Sequence, residues 1–181
     1  MNSEPTTQTA ADEDAIRAIH QRIIDAWNAG DGDAFAAPFS DRADFVAWNG
    51  THLEGRQEIA AFHRQMFDTV VKGSRLEGDV KFVHFLDPEL AVMHSVVRVT
   101  LSGSTQASPS RESMQFIVVS KRDSEWLSEG LMNARRLTME QQLYLDELDA
   151  LPACPSGCRS GLSMRLGQRS ATTSSARQSN S

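Results

Sequence analysis

Residues 12–68 read as helix, short helix, strand, hairpin corner and helix, and four β-rich segments then follow without interruption. Helices first and a curled antiparallel sheet afterwards describe a cone-shaped α+β domain. Three N-terminal helices pack in a curved antiparallel sheet, and one cavity is left between the layers.

The first helix is expected over 12–29, because Ile16, Ile19, Ile23 and Trp27 fall on one apolar stripe. Gly30 ends it, and Asp33 is a candidate cap for a brief second helix carrying Phe35 and Phe39. A first strand over 43–48 turns back at Asn49-Gly50, a favoured tight-turn pair. Gly55 leads into a third helix, whose stripe is Ile59, Phe62, His63, Met66, Phe67 and Val70. Strands are expected over 76–86, 90–102, 112–121 and 125–137. Several carry apolar residues on both parities, so one sheet face should meet the helices and the other a second subunit. A homodimer is the expectation.

Domain boundaries follow: a flexible lead-in at 1–11, the folded domain at 12–137, a helical extension at 138–151 and a disordered Ser/Arg-rich tail at 152–181. The net charge of -6 is unevenly spread. Arg159, Arg165, Arg169 and Arg177 make residues 150–181 positive, and the body is correspondingly acidic. An acidic body repels phosphate backbones, which argues against nucleic acid as a partner. No apolar run is long enough for a membrane span, and the N-terminus lacks a secretion-signal pattern, so a cytoplasmic protein is expected. Cys154 and Cys158 form a lone C-x-x-x-C, a poor zinc signal without two further ligands, and no metal is expected.

The motif Trp27-Asn28-Ala29-Gly30-Asp31, the segment 35–44, Gly55-Arg56 with Glu58-Ile59, and the strand from Trp126 to Asn133-Ala134-Arg135 carry a resemblance. Over residues 12–137 the chain resembles the nuclear transport factor 2-like superfamily, which includes ketosteroid isomerase and the SnoaL-like polyketide enzymes. Within it the chain looks most like the SgcJ/EcaC family of small bacterial proteins. The resemblance implies the cone-shaped fold and a pocket for a small hydrophobic, polyketide-like or aromatic metabolite. The fold itself hosts isomerases, cyclases, dehydratases and plain association modules. The family is often labelled oxidoreductase, yet the chain has no G-x-G-x-x-G dinucleotide fingerprint, and no cofactor is expected. Relatives often end their last strand in F-[HQ]-N-T-R, where this chain has Leu131-Met132-Asn133-Ala134-Arg135. A polar side chain of the relatives is thus replaced at Met132.

Two histidines head the candidates for proton transfer. If Asp87-Pro88-Glu89 makes the turn, His84 faces Val92 and His94 faces Phe82, and the imidazoles become diagonal neighbours on one face. Facing the cavity, His94 would be the base, with His84 or Asp44 assisting. The alternative is two separate histidines, one packed and one solvated, and Asp44 as the ordinary polar entrance to a strand. His63 sits on the apolar stripe of the third helix, as a core residue or a ligand contact. Trp48 and Trp126 could wall a cavity for a flat ligand or belong to the core. Across a two-residue turn at Asp123-Ser124, Arg135 would pair with Glu112 and Asn133 with Met114. That makes an ion pair, or an oxygen-holding pair if the resemblance governs. A ketosteroid isomerase site needs a tyrosine donor beside a protonated acid. The one tyrosine, Tyr144, lies beyond the last strand, which argues against that chemistry.

Overall fold

The computed structural model describes residues 7–103, 112–137 and 139. The chain divides into two units, Met1–Leu137 and Thr138–Ser181. Apart from Met139, the expected extension at 138–151 and the tail at 152–181, with Tyr144 and both cysteines, lie outside the described residues.

In the first unit the order is α1 (Thr7–Ala29), α2 (Gly32–Ala36), β1 (Phe39–Val46), β2 (His52–Glu54), α3 (Gly55–Asp68), β3 (Arg75–Asp87), β4 (Leu90–Thr100), β5 (Glu112–Arg122) and β6 (Glu125–Arg135). Helix α1 starts at Thr7 rather than Asp12, so residues 7–11 of the expected flexible lead-in are helical; being polar or small, they lie outside the apolar stripe that marks the helix in the sequence. Asp12 fastens that end to the sheet, accepting from Lys121 Nζ at 2.7 Å and Trp126 Nε1 at 3.0 Å.

Each residue of Trp27–Asp31 except Ala29 has a local task. Trp27 Nε1 donates to Ser74 Oγ at 3.0 Å. Asn28 clasps β3 twice, donating to the Leu76 carbonyl at 2.9 Å and accepting from the Leu76 amide at 2.8 Å. Gly30 takes φ +69, the left-handed conformation that ends a helix, and Asp31, not Asp33, caps α2 through the amides of Asp33 and Ala34. At the corner before α3, a Cβ on Gly55 would lie 2.8 Å from the Asp41 carbonyl oxygen. Arg56 Nε donates to the Phe39 carbonyl at 2.6 Å, tying that corner to β1.

The sheet order is β2-β1-β6-β5-β4-β3. All neighbours are antiparallel except β1 and β6, so the sheet is mixed rather than purely antiparallel. Strand β1 arrives from the helical layer, and no hairpin turn dictates its direction against β6. The helices cover one face, where Ile16, Ile19, Ile23, Phe35, Phe39, Ile59, Met93, Ile117 and Val119 form the core. Among the described residues no helix is long and apolar enough to cross a membrane.

Strand β6 contains the feature that shapes the site. Arg122 pairs with Glu125 across Asp123-Ser124, both at positive φ as a two-residue turn requires. Val119 then pairs with Ser128 but Val118 with Gly130, leaving Glu129 as an extra residue, a β-bulge. Arg135 therefore pairs with Ser113 rather than Glu112, and Asn133 with Gln115 rather than Met114. A one-residue change of register moves a side chain to the opposite face. Glu112 instead binds Arg98 at 2.7 Å and Arg136 at 2.6 Å. The Glu129 carboxylate accepts from Ser120 Oγ, Ser40 Oγ and Arg122 Nε, at 2.5, 2.7 and 2.8 Å. Burial pushes its pKa up, but these bonds and the Arg122 charge outweigh burial and hold it below the usual carboxylate range.

Candidate functional site

Between the inner sheet face and the helices lies a cavity of about 490 Å³. Trp27, Phe35, Phe45 and Phe62 wall it, Val97 and Val99 continue the apolar surface, and Ser113, Gln115, Asn133 and Arg135 line the sheet side. These four polar residues sit on two neighbouring cross-strand rows. Ser95 pairs with Gln115 and Gln115 with Asn133 in one, while Val97 pairs with Ser113 and Ser113 with Arg135 in the other. Ser95 Oγ donates to Gln115 Oε1 at 2.9 Å. Among the described residues, Asn133 Oδ1 is buried and accepts no hydrogen bond. Leaving such an acceptor unmatched costs about 1–3 kcal/mol, so the row is not satisfied from within.

The Arg135 guanidinium carbon stands 3.9 Å from the Trp48 ring centroid. Trp48 is half exposed and also lines the cavity. The pair places a cation on an aromatic face at the opening. His63 lies deeper, stacked on Phe35 with ring centroids 3.7 Å apart. Its Nδ1 is 2.8 Å from the Ile59 carbonyl oxygen, which can only accept, so Nδ1 carries the proton and Nε2 the lone pair. Burial lowers its pKa to about 4 against the opposing pull of that carbonyl, and the ring is neutral at pH 7.

The structure brings Trp48, His63, Asn133 and Arg135 together and leaves the other candidates elsewhere. His84 and His94 do face Val92 and Phe82 in the expected register, so they share one face. That face is the outer one: the inner residues of β4 are Ala91, Met93, Ser95 and Val97, and neither histidine lines the cavity. The expected cavity-facing pair is corrected accordingly, and the His94 ring packs on Phe82 at 5.1 Å instead. Asp44 also points away, because Phe45 and Ala47 hold the inward parity of β1. Its carboxylate meets His52 Nε2 at 2.7 Å, with both side chains exposed. Trp126 is a core residue bound to Asp12 and walls no part of the cavity. Met132 and Ala134 lie on the opposite parity from Asn133, so the departure from the relatives' motif does not touch the cavity.

Sequence reasoning missed Ser113 and Gln115. Their signal was present: both are polar on the parity that Ile117 and Val119 mark as inward. Among the described residues no group of three or more His, Cys, Asp or Glu could hold a metal ion.

The family model for the SnoaL-like domain matches residues 20–125. A domain of unknown function with a cystatin-like fold from Nostoc punctiforme is 58% identical, with a TM-score of 0.76 over 82% of this chain and 90% of that one. A ketosteroid isomerase-like protein from Erwinia carotovora atroseptica is similar at 15% identity and TM-score 0.57, over 70% of this chain and 98% of that one. A putative calcium/calmodulin-dependent protein kinase type II association domain from Thiobacillus denitrificans is similar at 16% identity and TM-score 0.59, over 76% of this chain and 100% of that one. At such identities the last two show the fold alone. No curated protein sequence matches the chain.

Proposed function

The chain belongs to the SnoaL-like domain family, and we propose that it binds a small, flat, largely apolar metabolite, aromatic or polyketide-like, in the cavity. Within the family we place it nearest the SgcJ/EcaC proteins, on the motifs Trp27–Asp31 and Trp126–Arg135. The carrying observation is the open volume of about 490 Å³ with polar side chains converging on one side of an aromatic wall. Small-molecule sites have that size and composition. A module used only for association gains nothing from leaving such a volume unfilled, since close packing stabilises a core. The test is a thermal-shift screen of the full-length chain against aromatic and polyketide-like compounds. A ligand at 100 times its Kd adds about 2.7 kcal/mol, and that shift should vanish in Ala47→Phe, which intrudes on the cavity. No shift across a broad panel would leave the association module as the better reading.

Proton transfer is the second reading, and its support is His63, a neutral imidazole with its Nε2 lone pair on a ring that lines the cavity. His94, His84 and Asp44 do not contribute to it, because they lie outside the cavity.

We also propose a homodimer through the outer sheet face. Phe82, Met114, Phe116 and Met132 are exposed, and His94 and Phe116 are cross-strand partners, as are Phe116 and Met132. Neighbouring apolar side chains of this size on one sheet face mark an interaction surface. Phe116→Asp should convert a sedimenting dimer to monomer, with the far-ultraviolet circular dichroism unchanged. A wild-type chain that sediments as monomer at micromolar concentration would refute the dimer.

A further inference from the structure

We propose that the cavity takes hydrogen bonds from its ligand, an un-ionised hydroxylated aromatic compound whose O–H groups are received by two unmatched acceptors, His63 Nε2 and Asn133 Oδ1. The proposal rests on the cavity being a ligand site, as argued above, and adds the chemical class.

The first acceptor follows from ring chemistry. The Ile59 carbonyl holds the His63 proton on Nδ1, so Nε2 keeps its lone pair. The two ring nitrogens flank one carbon and point in diverging directions. With Nδ1 turned to the backbone of α3, Nε2 is turned away from it, on a ring that lines the cavity. Among the described residues nothing donates to Nε2. The phenylalanines around it, Phe35, Phe45, Phe62 and Phe67, have ring centroids 3.7, 5.2, 5.4 and 5.9 Å away and carry no polar hydrogen.

Asn133 Oδ1 is the second, buried and unmatched among the described residues. One stretch of wall joins the two. Phe45, which packs on His63, pairs with Leu131, and Asn133 is the next inward residue of β6, about 7 Å along the strand.

Three donors at or beside the cavity are already committed. Trp27 Nε1 gives its hydrogen to Ser74 Oγ, Thr69 Oγ1 to the Gln65 carbonyl and Ser95 Oγ to Gln115 Oε1. The last bond leaves Gln115 its amide N–H groups, beside Asn133 in the same cross-strand row. An unmatched acceptor next to a donor is the pattern a hydroxyl fits, because it gives one hydrogen and accepts another. An ether, a ketone or a carboxylate only accepts, and filling the cavity with one leaves both acceptors unmatched.

The deciding experiment is calorimetric titration of the full-length protein at pH 7 with 2-naphthol and, separately, with 2-methoxynaphthalene, which shares the ring system and has no hydrogen to give. The naphthol should bind about tenfold more tightly, the scale of matching one buried acceptor. His63→Phe and Asn133→Leu each remove an acceptor at similar volume, so each should lower the preference and the double variant should abolish it. A preference that survives the double variant would come from the size of the methyl group and would overturn the assignment. Should the double variant fail to fold by circular dichroism, the wild-type affinities and Asn133→Leu decide. Equal affinities in the wild type, or a tighter ether, would overturn the donor assignment while leaving the cavity as a ligand site. Binding of neither compound would overturn both. Without any ligand, Asn133→Leu should raise the melting temperature, since an apolar group replaces an unmatched acceptor. A fall would overturn the assignment at Asn133.

Discussion

Lowering the pH from 6.5 to 4 is expected to destabilise the fold by several kcal/mol. Two buried histidines drive this. Burial lowers the His20 pKa to about 4, with Asp79 opposing, and lowers that of His63 to about 4 as well. In the unfolded chain both titrate near the ordinary histidine value of 6.5. Between these values the unfolded chain binds more protons, so stability falls as pH falls, and above 6.5 these residues contribute no slope. The full contribution is on the order of 3 kcal/mol for each residue, because every pH interval of one between the folded and unfolded values is worth about 1.4 kcal/mol. His20 Nε2 has no hydrogen-bond partner among the described residues, so replacing it costs little bonding. His20→Met should remove about half of the slope in urea midpoint between pH 6.5 and 4. An unchanged slope in that variant would show that His20 is not held neutral by its surroundings.

Phe35→Ala should cost about 3–5 kcal/mol at pH 7.5, the usual range for truncating a buried phenylalanine. Phe35 is 3% exposed and sits where the helical layer meets the cavity. Its ring stacks on His63 and lies 6.1 to 6.2 Å from those of Trp27, Phe39, Phe45 and Phe67. Removing it joins the vacated space to the cavity and lets water approach His63. The His63 pKa should then move back toward its ordinary value, so the variant loses stability at neutral pH yet becomes less sensitive to acid. Denaturant midpoints at pH 7.5 and 5 measure both effects. A loss below about 1 kcal/mol would mean that the aromatic wall repacks around the gap.

Much of this fold is legible in the chain because its signals are local. The α1 stripe, the Gly30 stop and the turns at Asp87–Glu89 and Asp123-Ser124 each depend on residues within a few positions of one another. The His84 and His94 register matches expectation by another route: Asp87 pairs with Leu90 across Pro88-Glu89, and Leu86 is then an extra residue that restores the pairing of His84 with Val92. Which face points inward does not follow from local signals, because β4 is apolar on both parities: Ala91 and Met93 on one, Val92 and Val96 on the other. Only packing against the helical layer breaks that tie. The bulge at Glu129 was illegible for another reason. Its extra residue is neither glycine nor proline, and it is held by Ser40 and Ser120, distant in sequence or on another strand. Missing it paired Arg135 with Glu112 and made an ion pair of what is a cavity residue. The parallel pairing of β1 with β6 joins segments with no shared turn, so alternation alone could not show it.

The ligand site assigned above is this cavity and not the outer face bearing His84 and His94. Amide and indole nuclear magnetic resonance shifts, recorded during titration with an aromatic compound that raises the melting temperature, decide between the two. The largest changes are expected at the side-chain amides of Gln115 and Asn133 and at the Trp48 indole, with Phe116 and His94 unmoved. Shifts centred on His94 and Phe116, with the Asn133 and Trp48 signals unchanged, would contradict it.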